Sequence, residues 1–392
     1  MGVVNKAETI RRLEDILHEY DLMLYYPHNL IDKMLDPEHM SDYHMEGTVL
    51  EHSILVAEEF KKINGSRVEK PMVIQKAEML TVLLHDIGKI YMKQTNKGRV
   101  VYYGHERRTD VLREKLHQLA TAEGSANNTF GVIDIMLLTM AVQNHMERDI
   151  NIIEKNIISM RPFLEYAQFY VNLINADAKG RITQKPISIY QPPQDIFDMF
   201  LNSGWDTGKI YHPEIFLKHI LQQDRVAIIP VGISGSGKDR YYSQNLQDKG
   251  FRLYSNDFNR CKKAGLSYEE FLDISKERFD QIHDTFTGID YGNILMKDIT
   301  MDQYPPRIYL GNMHLTSKLR KRFIHFLKDH SYKIGAINFL PTLEQAIHRN
   351  YIRHQSNSSR DGRMLSKEIL ERMNADLVVV TAKEVDFVTV SS

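Results

Sequence analysis

The chain has 392 residues and a mass of 45.7 kDa, room for two or three domains of about 150 residues each. Its 42% apolar and 26% charged residues exclude a disordered chain, and fifty Lys and Arg against fifty-one Asp and Glu exclude a polycation. The single cysteine, Cys261, excludes an internal disulfide framework and a cysteine-rich zinc module, and it suits a reducing compartment.

The start, Met1-Gly2-Val3-Val4-Asn5-Lys6, lacks both the hydroxyl residue of a myristoylation signal and the apolar core of a secretory signal. No apolar run approaches the length of about 18 residues that a membrane helix needs. A cytoplasmic protein with no membrane partner is expected. Residues 11–24, 49–63, 79–90, 109–121, 132–145 and 162–175 place apolar side chains three and four apart, which predicts a helical first half. Gln184-Lys185-Pro186 and Gln191-Pro192-Pro193 read as a boundary. Residues 196–223, with Trp205, read as a helical connector that packs the domains together and carries no chemistry. Beyond Arg225, short apolar runs at 226–231, 251–254, 307–310, 333–339 and 377–381 alternate with helical stretches. That alternation predicts a parallel sheet wrapped by helices. The expected fold class is α followed by α/β, with domains at 1–185 and 225–392 joined by 186–224.

Histidine and aspartate mark the first half. Tyr43-His44-Met45-Glu46-Gly47-Thr48-Val49-Leu50-Glu51-His52 puts His52 near a helix start, and Leu83-Leu84-His85-Asp86-Ile87-Gly88-Lys89 sets adjacent His and Asp after an apolar helix. An imidazole and a carboxylate there are costly to bury unpaired, and a shared metal ion satisfies both. His105 in Gly104-His105-Glu106, His145 in Asn144-His145-Met146 and Asp177 in Ala176-Asp177-Ala178 extend the set. Nitrogen and oxygen donors without thiolate favour Mn, Fe, Co, Ni or Zn over Mg or Ca.

In this order, and with these flanks, the set resembles the HD superfamily of metal phosphohydrolases over residues 40–185. The resemblance implies a helical HD domain that holds two ions. His52, His85, Asp86 and Asp177 would surround one ion. Asp86 would bridge to a second, completed by His105 and His145. Lys89 reads either as a phosphate-neutralising residue or as a solvated one, and His44 is a further candidate.

In the second half, the run 226–231 leads into Gly232-Ile233-Ser234-Gly235-Ser236-Gly237-Lys238 and then a helical stretch. Strand, glycine-rich loop, Gly-Lys and helix in that order are the context of a phosphate-binding loop, in which backbone amides and the helix dipole face an anion. Lys238 would reach the β- and γ-phosphates of a nucleotide. The next residue is Asp239 where such loops carry Ser or Thr, and it reads either as a hard-metal ligand or as a helix-capping residue.

Downstream, Asp257-Phe258-Asn259-Arg260 and Arg349-Asn350-Tyr351-Ile352-Arg353 follow in order. With the loop, they resemble the 5′-hydroxyl polynucleotide kinases over residues 225–388. That resemblance implies Asp257 as general base toward a 5′-OH and Arg260 on the neighbouring phosphate. Arg349 and Arg353 would clamp the donor phosphates, and ATP or another NTP would enter with Mg. Gly311 stands where many relatives carry Asp. The basic run Lys318, Arg320, Lys321 and Arg322 reads as a solvated face or a phosphate track, and Arg360 and Arg363 as a loop beside the lid.

Together the halves resemble bifunctional HD phosphoesterase and polynucleotide 5′-kinase proteins that heal nucleic-acid ends. The implied activities are hydrolysis of 2′,3′-cyclic or 2′/3′-phosphate ends and phosphorylation of 5′-OH ends. The implied partners are nucleic-acid ends, RNA above all, and an RNA ligase acting downstream. Two other readings are an HD nucleotide phosphohydrolase with a regulatory nucleotide-binding P-loop domain, and a non-catalytic adaptor for RNA ends.

Overall fold

The computed structural model describes residues 5–36, 45–64, 70–96, 99–124, 130–160, 163–183, 186–192, 209–267, 270, 278, 281–282, 291–355 and 365–391. The chain divides into two compact units, residues 1–209 and 210–392. The first is mainly helical and the second is built on a five-stranded parallel sheet. Among the described residues no helix is long and apolar enough to cross a membrane.

In the first unit, α1 (Lys6–Glu19) starts at Asn5, whose side chain accepts from Glu8 N, and buries Leu13, Ile16 and Leu17. Helix α2 (Val49–Asn64) follows Thr48, whose hydroxyl accepts from Glu51 N at 3.0 Å. Helix α3 (Met72–Leu84) is buried all round from Ala77 to Leu84, as expected for the central helix of a domain. It begins behind Pro71 and ends at His85, so part of the predicted helix 79–90 is a turn at residues 85–88. Helices α4 (Asp110–Leu119), α5 (Val132–Asn144), α6 (Ile150–Ser159) and α7 (Leu164–Lys179) complete the bundle. An antiparallel pair, β1 (Gln94–Asn96) and β2 (Arg99–Val101), interrupts it. That hairpin is not marked by the spacing of apolar residues, and α6 is absent from the predicted helices although Ile150, Ile153 and Ile157 stand three and four apart.

The sheet of the second unit has the order β4-β5-β3-β6-β7, with β3 (Val226–Val231) in the centre between β5 (Arg307–Leu310) and β6 (Lys333–Phe339). The edges are β4 (Arg252–Tyr254) and β7 (Phe387–Ser391). All of β3 is buried, which suits a strand covered on both faces. Pro230 sits in this central strand, yet it breaks no ladder. Val226 N points toward the β5 side, Pro230 shares that side, and the pairing of β3 with β5 ends at Ile228↔Tyr309. The chain turns to β5 on one side of β3 and to β6 on the other. The glycine-rich loop therefore opens at a switch point of the sheet, outside the carboxyl ends of the strands.

Two expectations need correction. The last strand is Phe387–Ser391, not 377–381. Leu377, Val379 and Val380 are buried, but Val380 N donates to the Asn338 side chain at 2.8 Å and Val378 N to Leu315 O at 2.9 Å, so this run joins no ladder. The expected connector 186–224 is also divided. Tyr190 exchanges two hydrogen bonds with the Asn175 side chain in the first unit. Helix α8 (Pro213–Leu221) instead seats Phe216 and Ile220 in the core of the second unit with Val226, Ile228 and Tyr309. Each such side chain contributes about 1.5–3 kcal/mol of burial. Trp205 lies outside the described residues.

Candidate metal centre and candidate phosphate site

The first-unit histidines and aspartates converge from distant segments. His52 stands in the first turns of α2, and His85 and Asp86 lie in the turn after α3. His105 opens a single 3-10 turn, His145 follows α5, and Asp177 lies within α7. All six are buried. Gly88 explains how the turn at 85–88 reaches the His105 segment, since a Cβ there would lie 2.0 Å from the His105 carbonyl oxygen. Only glycine allows that approach.

Asp86 is the hub. Its Oδ2 lies 3.4 Å from His52 Nε2 and 3.5 Å from His85 Nε2, on the side where Asp177 Oδ1 is 3.1 Å from His52 Nε2. Its Oδ1 lies 2.9 Å from His105 Nε2 and 3.4 Å from His145 Nε2. The donor atoms of His52, His85 and Asp177, and those of His85, Asp86 and His145, fall within 4.8 Å of one another. One carboxylate thus faces two sets of imidazole nitrogens.

The ring protons decide what these contacts mean. Nδ1 of His85 lies 2.7 Å from Val82 O, Nδ1 of His105 lies 2.8 Å from Tyr102 O, and Nδ1 of His145 lies 2.6 Å from Val142 O. A carbonyl accepts only, so each Nδ1 carries the proton and each Nε2 turns a lone pair toward Asp86. These three Nε2 atoms and Asp86 Oδ1 are buried without hydrogen-bond partners. Their short separations therefore bring acceptor against acceptor, a costly arrangement in a protein interior. A divalent cation removes that cost, so the residues fit a metal and the cluster could bind one. His52 is oriented differently, with Glu46 Oε1 3.0 Å from its Nδ1, the carboxylate–imidazole pairing found behind metal ligands.

Cations balance the carboxylates. Lys89 Nζ meets Asp86 Oδ2, and Arg148 and Arg181 both reach Asp177 Oδ2, Arg148 at 3.1 Å. Burial opposes the charge on Asp86, but the Lys89 ammonium beside it holds its pKa well below the usual carboxylate range. Asp177 is held low against burial in the same way, by its contacts with His52 and Arg181. Burial pushes His145 down, whereas hydrogen bonds to Asp177 and Glu46 outweigh burial at His52 and raise it. Arg148 and Arg181 are missing from the residues singled out in the sequence, and Glu46 enters there only as a flank ahead of His52, with no role assigned. Arg181 carried a signal in its spacing, four residues after Asp177, although it stands just beyond the end of α7. His44 lies outside the described residues.

In the second unit, Gly232, Ser234, Gly235, Ser236 and Gly237 form the loop between β3 and α9 (Lys238–Asn245). Lys238 is buried, and its ammonium donates to Gly232 O at 3.0 Å, Ile233 O at 2.7 Å and Ser236 Oγ at 3.1 Å. Asp257 and Arg260 lie in α10 (Asn256–Ala264) and pair at 2.8 Å. Arg349 comes from α13, the helix Leu343–Gln355, numbered after α11 (Tyr291–Met301) and α12 (Ser317–Asp329). A Cβ built on Gly237 would lie 3.9 Å from Arg349 Nη1, so this guanidinium stands over the loop. The structure therefore brings Arg349 to the lysine loop. The side chain of Arg353, and all of Arg360 and Arg363, lie outside what is described.

Asp239 is exposed, and with burial its charge raises the pKa of Tyr309 well above the usual value. A Cβ on Gly311 would lie 2.7 Å from Leu253 Cδ1 and 3.2 Å from Ser255 Cβ, so a larger residue there requires the end of the Leu253 side chain to shift. Asn312 instead accepts from Asn256 N at 3.0 Å and ties the end of β5 to the start of α10, a role invisible in the sequence. Arg320 leaves the solvated basic run. It is fully buried and forks onto Glu384 at 2.7 and 2.8 Å, while Lys318, Lys321 and Arg322 are exposed.

Compared with known proteins, the chain matches no family model and no curated sequence.

Proposed function

We propose that this chain heals nucleic-acid ends, RNA ends above all. Its first unit would be an HD-type phosphoesterase for 2′,3′-cyclic and 2′/3′-phosphate ends, and its second a P-loop 5′-hydroxyl kinase. The observation that carries the reading is Asp86, whose two oxygens face two separate sets of imidazole nitrogens. Bound divalent transition ions would supply an activated water and neutralise charge on phosphoryl oxygens. Around them, Glu46 orients His52, and the carbonyls of Val82, Tyr102 and Val142 hold three imidazoles in the ligating tautomer. Lys89, Arg148 and Arg181 supply cations for the phosphate once the carboxylates have another partner.

In the kinase reading, Lys238 exchanges loop carbonyls for the β- and γ-phosphates of ATP or another NTP, which enters with Mg. Asp257 takes the proton of the 5′-OH, Arg260 holds the adjacent phosphate, and Arg349, with Arg353, clamps the donor. An RNA ligase would use the healed ends. The exposed Asp239 after the loop lysine and the glycine at 311 in place of a carboxylate favour a second reading, in which the P-loop unit senses nucleotide and regulates a nucleotide phosphohydrolase.

The test is an end analysis on a labelled RNA with a 5′-OH and a 2′,3′-cyclic phosphate. Mn or Ni serves one step, and Mg with NTP the other. Both ends change, Asp86→Ala stops only the 3′ step, and Lys238→Ala stops only the 5′ step. A processed 3′ end beside a 5′ end that never gains phosphate selects the second reading.

A further inference from the structure

Helix α10 starts just after β4 ends, and its first turn carries two asparagines, Asn256 and Asn259. Their backbones are accounted for. Asn256 N donates to the Asn312 side chain at 3.0 Å, and Asn259 N donates to Ser255 O at 3.3 Å. Their side chains are not. Asn256 Oδ1 and Asn259 Nδ2 are closed to solvent and have no hydrogen-bond partner. Both residues are half-buried, so these atoms lie just beneath the surface. A carbonyl oxygen accepts and an amide nitrogen donates, so the pair presents one acceptor and one donor. Exchanging O for N in both amides leaves one of each.

Two such groups left unpaired work against stability, and a partner from outside the chain accounts for them. Their place indicates which partner. Residues 256 and 259 share one face of α10, and each immediately precedes a member of the Asp257–Arg260 pair, whose side chains meet at 2.8 Å. In the kinase reading Asp257 receives the 5′-OH of the acceptor and Arg260 the phosphate that follows the same nucleotide. Between a 5′-hydroxyl and the next phosphate lies one sugar. The polar group that RNA adds to that sugar is the 2′-hydroxyl, on the carbon next to the one that bears the phosphate. It donates and accepts through a single oxygen, so one hydroxyl satisfies both amides. A base edge matches less well, because its donors and acceptors sit on separate atoms at the far side of the sugar.

We propose that Asn256 and Asn259 select a ribonucleotide at the 5′ end of the acceptor, Asn256 Oδ1 accepting from its 2′-hydroxyl and Asn259 Nδ2 donating to it. The proposal rests on the kinase reading and deepens it in one respect. The sugar is read at a single position, so a DNA strand that begins with one ribonucleotide is treated as RNA.

The test gives the full-length protein, with Mg and ATP, three 5′-OH oligodeoxynucleotides that differ only in the first sugar: ribo, 2′-deoxy or 2′-O-methyl. The single ribonucleotide raises kcat/KM about 10- to 100-fold over the deoxy end, the effect of pairing buried groups otherwise left unmade. The 2′-O-methyl end, which cannot donate, gains nothing. Fluorescence anisotropy of the same strands, labelled at the 3′ end and without nucleotide, gives the same order in Kd. Asn256→Ala and Asn259→Ala each bring the ratio of ribo to deoxy close to one. Neither substitution removes a side-chain hydrogen bond within the protein, so Tm does not fall. A lowered Tm with an unchanged ratio assigns the amides to the fold and overturns the proposal. Equal kcat/KM on ribo and deoxy ends by the unsubstituted protein also overturns it and leaves the kinase standing. Phosphorylation of none of the three ends defeats the kinase reading, while the order of Kd values still decides whether the sugar is read.

Discussion

In the first unit the candidate ligand atoms are buried together, and the Nε2 atoms of His85, His105 and His145 and the Oδ1 of Asp86 have no hydrogen-bond partner. In the second unit Lys238 already donates to the carbonyls of its own loop, and Asp257 pairs with Arg260. The first arrangement is completed by adding a charge. The second works only if existing contacts are exchanged for those of a ligand. Preorganisation is thus concentrated in the helical unit, and conformational exchange in the sheet unit.

Substitutions at the two hubs test this contrast most strongly. Asp86→Ala removes the shared carboxylate and lowers phosphoesterase turnover about 10³-fold or more, with the 5′ reaction unchanged in the same end analysis. Lys238→Ala costs the 5′ reaction about 10²-fold and spares the 3′ reaction. Next in size is metal removal. Saturation at about a hundred times Kd stabilises by about 2.7 kcal/mol, so chelation lowers the Tm of the first unit by about 5–10 °C and leaves the second unmoved in calorimetry. Glu46→Gln keeps the shape behind His52 but loses the charge, and titration calorimetry then shows metal binding weakened about 10- to 100-fold.

The smallest effect belongs to His314 in the second unit. Burial first, and then the charge of Arg320, depress its pKa to about 3. The unfolded chain takes up that proton near pH 6.5 and the folded one does not. Stability is therefore full above about pH 6.5 and falls as pH drops toward 3, by at most about 1.4 kcal/mol per pH unit. His314→Phe flattens that slope in denaturant titrations of the full chain at pH 7 and pH 5. An unchanged slope shows that the ring is protonated in the folded state.

The sequence makes a site legible where its residues carry local signals, and hides what depends on folding. His85, Asp86 and Lys238 stand in short motifs with their own glycines, and the sheet strands at 226–231, 307–310 and 333–339 are apolar runs. Glu46 is an ordinary acid until the fold brings it to His52. The runs 377–381 and 387–391 are both rich in β-branched residues, and only the latter lies in register with β6, Gly335 opposite Phe387. Burial of Arg320 could have been read, because it shares a helical stripe with Phe323, Ile324 and Leu327 at spacings of three, four and seven. The polar neighbours in the run obscured it.

His52 and Asp177 are 125 residues apart in sequence and 3.1 Å apart in space. An ion gripped by both would act as a removable cross-link. Holding together ends separated by that much chain costs an open polymer about 4 kcal/mol in entropy, a penalty the folded unit has already met. The metal would then clasp the first unit as well as serve its chemistry, and its departure would loosen helices that never touch it.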